Sequence, residues 1–118
     1  MLPTFSDEQL RAAGNDANLL LNVGPRPDGT IQPEAVERLR EIGRWLETYG
    51  PTIYGTRRGP VAPQKWGATT QRGQTVFVHV LDGSITALSL PALGGRVVKA
   101  TLLGRNLPLP LAVSEAGL

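Results

Sequence analysis

The run Asn18-Leu19-Leu20-Leu21-Asn22-Val23-Gly24-Pro25 restricts what this chain can fold into more than any other stretch. A short apolar run closed by Gly and Pro predicts a strand over Asn18 to Val23 that stops abruptly. The run does not alternate, so both faces of the strand are expected to be buried, as in a parallel sheet covered by helices. Arg26-Pro27-Asp28-Gly29 follows, and its Asp-Gly pair is a turn signal. A helix comes next. Pro33 suits its first turn, and Glu34 favours the positive end of the helix dipole. Val36, Leu39, Ile42, Leu46 and Tyr49 keep helical spacing and mark one buried face. Glu34/Arg38 and Glu41/Arg44 fall at pairing distance on the opposite, solvated side. Gly50-Pro51 ends the helix. One strand and one helix cannot bury such a strand, so a larger α/β body beyond this chain is expected.

Ser6-Asp7-Glu8 ahead of Leu10 predicts a short helix with Ser6 as its N-cap, ending near Gly14-Asn15. On the far side, Arg57 to Pro63 changes character. Its prolines and glycine predict an extended linker between domains. Beyond it the hydrophobic period shifts to that of strands. Lys65 to Thr70, Thr75 to Leu81, Ser84 to Leu90, Arg96 to Leu103 and Leu107 to Val113 read as short strands. Arg72-Gly73, Asp82-Gly83, Gly94-Gly95 and Gly104-Arg105-Asn106 read as the turns between them. This is the pattern of a β-sandwich. Pro108 and Pro110 demote the last segment to an edge strand or an extended arm.

Three ordered segments carry a family resemblance: Asn18 to Ile31, Pro33 to Leu46, and Ile53-Tyr54-Gly55-Thr56-Arg57. Together they resemble the end of the catalytic domain of α-L-fucosidases, which are retaining glycoside hydrolases. The likeness continues through Trp66-Gly67, Thr75 to Leu81 and Arg96 to Leu103. It implies an α+β chain: the last βα unit of a (β/α)8-type barrel, followed by an antiparallel β-sandwich domain. Residues 1–56 would be the tail of the seventh barrel helix, the eighth strand and the eighth helix. Residues 57–64 would be the linker, and residues 65–118 the sandwich. The family pattern continues past a turn like Glu115-Ala116-Gly117-Leu118 into further strands, so the sandwich is expected to be cut short. An unfinished sheet leaves open edges, which invite self-association.

The chain has 118 residues, whereas a (β/α)8 barrel needs about 250. Retaining hydrolysis needs two carboxyls about 5–5.5 Å apart. In the family the nucleophilic aspartate and the acid/base glutamate both precede the segment matching Asn18, so no catalytic residue is expected here. Asp28 is read as a turn former before Gly29, and Glu34 as a helix-start acid. Asn22 and Gly24 are the candidate substrate-binding residues. They end the strand at the face where barrels keep their active sites. The alternative role for the Asn22 amide is bonding to loop backbone.

His79 stands alone, with no partners at metal-ligand spacing, so neither a metal nor a cofactor is expected. Alternation puts it on the face of Phe77, opposite Val76, Val78 and Val80, in a cross-strand packing or solvent role. Trp45, Trp66 and Tyr54 are aromatic enough to stack on sugar, but packing roles are the more economical reading for both tryptophans. The net charge of +2 is spread along the chain and gives no nucleic-acid footprint. Cysteines are absent, no apolar run reaches the length of a membrane span, and Met1 to Ser6 has no signal-peptide pattern, so the compartment stays open. Two functions follow. By the resemblance, the chain would be the C-terminal portion of an α-L-fucosidase that hydrolyses terminal α-L-fucosyl residues, with the rest of the barrel and fucosylated glycans as partners. Alternatively, it is a stand-alone carbohydrate-binding or interaction β-module.

Overall fold

A computed structural model describes residues 3–91, 93, 97–103 and 107–110, with backbone alone for residues 3–6, 107 and 108. Helix α1 spans Pro3–Gly14 and α2 spans Pro33–Tyr49. A one-turn 3-10 helix, Gly50–Thr52, continues directly from α2. The strands are β1 (Arg57–Arg58), β2 (Gly67–Arg72), β3 (Thr75–Val80), β4 (Ala100–Leu102) and β5 (Leu107–Leu109). They form two antiparallel sheets, one ordered β1-β2-β3 and one ordered β4-β5.

Helix α2 begins at Pro33, whose missing N–H costs nothing in a first turn. It ends at the Gly50-Pro51 break, where the chain tightens into the 3-10 turn. Its ion pairs differ from the expected ones. Arg38 meets Glu41 at 3.4 Å, and Arg44 meets Glu37 at 3.0 Å. The apolar face of α2 is only partly covered by the described residues. None of its residues is buried, and Leu39 is 40% exposed.

Helix α1 starts at Pro3, three positions ahead of the proposed Ser6 cap, and ends where expected. The Ala17 N–H reaches the Ala12 carbonyl at 2.8 Å, and the Asp16 N–H reaches the Ala13 carbonyl at 3.2 Å. That pair of bonds is a Schellman ending, with Asp16 at φ 56° in the left-handed place usually given to Gly.

The strand expected at Asn18 to Val23 does not form. Residues 17–26 are irregular, and Leu20 is 84% exposed. A strand in a closed barrel takes its hydrogen bonds from a neighbour on each side. No described residue supplies either neighbour, so apolarity alone cannot make the segment extended and paired.

Downstream, β2 and β3 make the central hairpin, registered Gly67↔Val80 through Arg72↔Thr75. Its turn is Gly73-Gln74, with φ +60° at Gly73, the position where a hairpin turn of this kind asks for Gly. Arg57 and Arg58, at the start of the expected linker, pair instead with Gln71 and Thr70. Ser84 to Leu90 forms no strand. Asp82 folds that segment into a local turn by accepting the Ser84 N–H at 3.0 Å and the Ser84 hydroxyl at 2.6 Å. Of the strand expected over Arg96 to Leu103, Ala100–Leu102 forms among the described residues, and Pro108 of β5 pairs with Thr101 of β4. The turns at Gly94-Gly95 and Gly104-Arg105-Asn106 and the C-terminal residues 111–118 lie outside the described residues.

The core sits where α1, the 3-10 turn and the 59–61 loop meet β2. Its buried apolar side chains among the described residues are Leu10, Val61 and Ala68. Thr52, Thr69 and Thr70 are buried beside them. Thr69 Oγ1 donates to the Val61 carbonyl at 2.7 Å and accepts the Val61 N–H at 3.3 Å. Close approach replaces bulk here. A Cβ on Gly14 would stand 2.8 Å from that of Ala68, and one on Gly67, where φ is +155°, would run into the His79 carbonyl. Two arginines clamp the ends of β2. Arg11 of α1 donates to the carbonyls of Gln64 and Lys65 at 2.7 and 3.1 Å, and Arg72 to those of Pro51 and Tyr54 at 2.6 and 3.2 Å.

Candidate functional site

Asn22 and Gly24 lie on the exposed stretch between α1 and α2. The Asn22 amide makes no hydrogen bond among the described residues. A Cβ on Gly24 would meet nothing within 4 Å. The apolar groove between α1 and α2 does not include either of them.

The loop that follows is built by its own residues. The Gly29 N–H reaches the Arg26 carbonyl at 2.8 Å, and the Arg26 N–H reaches the Thr30 carbonyl at 2.7 Å. Gly29 sits at φ +87°, so Arg26 to Thr30 is a tight turn closed by a left-handed Gly. Asp28 Oδ1 accepts the Thr30 hydroxyl at 2.7 Å and the Thr30 N–H at 3.0 Å. The Thr30 hydroxyl, then its N–H, hold the Asp28 carboxyl below its ordinary pKa. An ionised, internally satisfied carboxylate of this kind is a turn former, as its place before Gly29 suggests.

An apolar groove of about 320 Å3 opens between α1, the 17–21 segment and α2, lined by Ala13, Leu19, Leu21, Leu39, Ile42 and Ile53 among others. Asn22 and Gly24 are not part of it. The groove carries no acid, base or nucleophile, and its chemistry is that of packing.

His79 is placed by the hairpin register on the inner face of β3, with Phe77, while Val78 and Val80 face outward and are exposed. Its Nε2 stands 2.9 Å from Thr70 Oγ1. The Thr70 hydroxyl proton is spent on the Thr52 carbonyl at 2.6 Å, so the imidazole must be the donor and carries its proton on Nε2. Burial lowers the His79 pKa from 6.5 to about 4, because a charged ring would lose its water. No group of three or more His, Cys, Asp or Glu able to hold a metal ion gathers among the described residues.

The aromatic candidates take packing positions. Trp45 and Tyr49 stack along α2 with ring centroids 5.3 Å apart, and both are half-buried. Trp66 is half-buried just ahead of β2, and its carbonyl accepts the Leu81 N–H at 2.6 Å. Tyr54 is 60% exposed and lays its ring over Gly50. The sequence reading passed over Asp16, Thr52, Thr69 and Thr70, which do the joining. An Asp two residues past the last helical position was the one available signal, since αL positions favour Gly, Asn and Asp.

With this geometry in view, the likeness to known proteins is specific. The α-L-fucosidase family matches residues 7–51. An α-L-fucosidase of Branchiostoma floridae is 38% identical over 109 residues, which are 86% of this chain and 24% of that protein. A solved GH29 α-L-fucosidase of Bacteroides thetaiotaomicron superposes with a TM-score of 0.82 at 28% identity, covering 97% of this chain and 27% of that one. A second structure from that organism is a GH29 α-L-fucosidase trapped as a covalent intermediate with 2-fluoro-fucosyl fluoride. It matches with a TM-score of 0.77 at 30% identity, over 90% of this chain and 25% of that one. These are glycoside hydrolases, and the fold of this chain is a piece of theirs. The chain belongs to the α-L-fucosidase family. It spans about a quarter of the length of the relatives it matches, 24% of the Branchiostoma protein and 27% of the solved one.

Proposed function

We propose that this chain is the C-terminal portion of an α-L-fucosidase that hydrolyses terminal α-L-fucosyl residues of glycans with retention. On this reading residues 1–56 close the catalytic barrel, residues 57–64 link, and residues 65–118 begin a β-sandwich that packs on the barrel. The observation that carries it is the superposition itself, in which 97% of this chain finds its place in 27% of a solved α-L-fucosidase. The covalent intermediate trapped in a relative supports a two-step retaining route, in which a carboxylate attacks and water then releases the sugar. Neither carboxylate comes from this chain. Without groups that bind the transition state more tightly than the ground state, the isolated chain is inactive. Asn22 and Gly24 belong to the loop end of the closing strand, where barrels hold their substrates. A stand-alone β-module reading leaves residues 7–51, where the family match lies, without a use.

Co-expression with the DNA segment immediately upstream tests this. The expected result is hydrolysis of an aryl α-L-fucoside with retained anomeric configuration. Asn22→Ala and Gly24→Val should weaken it, while His79→Gln at neutral pH should leave it nearly intact. No gain on co-expression, or an equal loss from His79→Gln, would overturn the placement.

A further inference from the structure

We propose that the chain of hydrogen bonds from His79 through Thr70 to Thr52 is an acid-released latch holding the end of the helical half onto the β-sheet. Thr52 closes the 3-10 turn that terminates α2, whereas Thr70 and His79 belong to β2 and β3. The latch therefore spans the junction between the two halves. Both threonines are buried, and Thr70 has no exposure at all. The direction of each bond is fixed, because Thr70 donates to the Thr52 carbonyl at 2.6 Å and must receive from His79 Nε2 at 2.9 Å. A polar contact matters at this junction, since the buried apolar side chains among the described residues are only Leu10, Val61 and Ala68.

The surroundings favour a neutral ring. Arg72 is the cation on the same sheet face, held against the Pro51 and Tyr54 carbonyls and 5.4 Å above the Phe77 ring. The 3-10 turn Gly50–Thr52 contributes no titratable side chain, and Tyr54 lies just beyond it. Helix α1, packed on β2, carries Asp7, Glu8 and Arg11, with Arg11 bound to the Gln64 and Lys65 carbonyls. Asp16 at its end is engaged by Arg57 and Arg58. Among the described residues no carboxylate forms an ion pair with His79. A proton added at Nδ1 would therefore leave a charged ring buried, with no ion-pair partner among the described residues to offset the lost water.

The sign follows from linkage. The folded pKa, about 4, lies below the ordinary 6.5, so the open state takes up protons first as pH falls. The closed latch is fully favoured above pH 6.5 and is lost progressively as pH drops toward 4.

His79 is the only histidine, so one imidazole signal reports the latch without assignment. The test follows that signal by nitrogen NMR in the full chain, together with hydrogen-exchange protection of the Ile53 and Tyr54 amides, which bond to the Gly50 carbonyl. The expected result is an Nε2–H tautomer that titrates well below pH 6.5. Protection should fall about tenfold between pH 6.5 and 4.5, after allowing for partial solvent access. His79→Gln, whose amide donates to Thr70 without titrating, should keep its protection over that window. A midpoint near 6.5, or equal loss of protection in His79→Gln, overturns the latch. Should that variant fail to fold, the wild-type data decide: coincident midpoints for ring and amides support the latch, and independent midpoints refute it.

Discussion

The carboxylate of Asp16 accepts the backbone N–H of Arg58 at 2.7 Å across 42 residues of sequence. Its other oxygen takes the Arg57 guanidinium at 3.2 Å. Asp16 holds a left-handed backbone, φ 56°, to make these bonds. It ends α1 and anchors β1 in one step, so the first helix and the first strand share a single residue.

Removing that carboxylate should therefore cost more than a surface ion pair does. Asp16→Ala loses the bond to Arg58 and leaves a Cβ residue in the αL region without local compensation. A loss of about 1–2 kcal/mol is expected. Asp16→Asn keeps an acceptor and tolerates αL, so it should cost clearly less. Urea unfolding of the three proteins compares them, and equal loss in both variants would show that charge, not geometry, is what matters.

Gly67→Ala is expected to be among the most disruptive small changes. The new Cβ meets the His79 carbonyl across the hairpin, and φ +155° suits no L side chain. A flexible side chain could yield, but a backbone carbonyl in a six-residue strand pairing cannot. The expected cost is about 3 kcal/mol or more, read as loss of the β-rich circular dichroism signal or of cooperative unfolding. An unchanged melt would mean that the β2–β3 register is slack.

The latch has a thermodynamic counterpart. A His79 pKa depressed from 6.5 to about 4 by burial corresponds to stability that is present above pH 6.5 and lost as pH falls through that window. Discounted for partial solvent access, the loss by pH 4.5 is about 1.4 kcal/mol relative to His79→Gln, the tenfold change expected of the latch. Parallel urea series for both proteins at several pH values between 7 and 4.5 measure it. Superimposable pH profiles would remove His79 from the account of acid stability.

How much of this was legible beforehand depended on where each element finds its partners. Helix α2 was readable because Pro33 and the apolar spacing lie within it and Gly50-Pro51 follows it directly. The Arg26 to Thr30 turn and the hairpin at Gly73 were readable for the same local reason. The Asn18 to Val23 strand does not form here because strand pairing belongs to neighbours, and none is among the described residues. The two-residue strand at Arg57–Arg58 has no apolar alternation to reveal it, only its pairing with β2. The core also escaped notice, because Thr52, Thr69 and Thr70 are polar by type and become core only through bonds to distant carbonyls. Of the candidate site, Asn22 and Gly24 were named from position in a barrel, and no strand pairs with their segment among the described residues.

The uncovered apolar surface has its own consequence. Leu20 is 84% exposed, and Leu19, Leu21 and Leu39 are each about two-fifths exposed, at 37%, 42% and 40%. Contiguous apolar surface of this kind drives association. The isolated chain should sediment as oligomers, and Leu20→Ser should shift it toward monomer. A sharp monomer for the unaltered chain would show that this surface is not held open for a partner.

The central proposal, that this chain is a C-terminal portion of an α-L-fucosidase, is tested most directly by transplantation. In a chimaera, this chain replaces the matching 27% of the solved Bacteroides thetaiotaomicron enzyme. Turnover of an aryl α-L-fucoside by the chimaera, with none from the 118-residue chain alone, is the expected result. Turnover by the isolated chain above a blank, or a folded chimaera with an intact barrel and no activity, would contradict it.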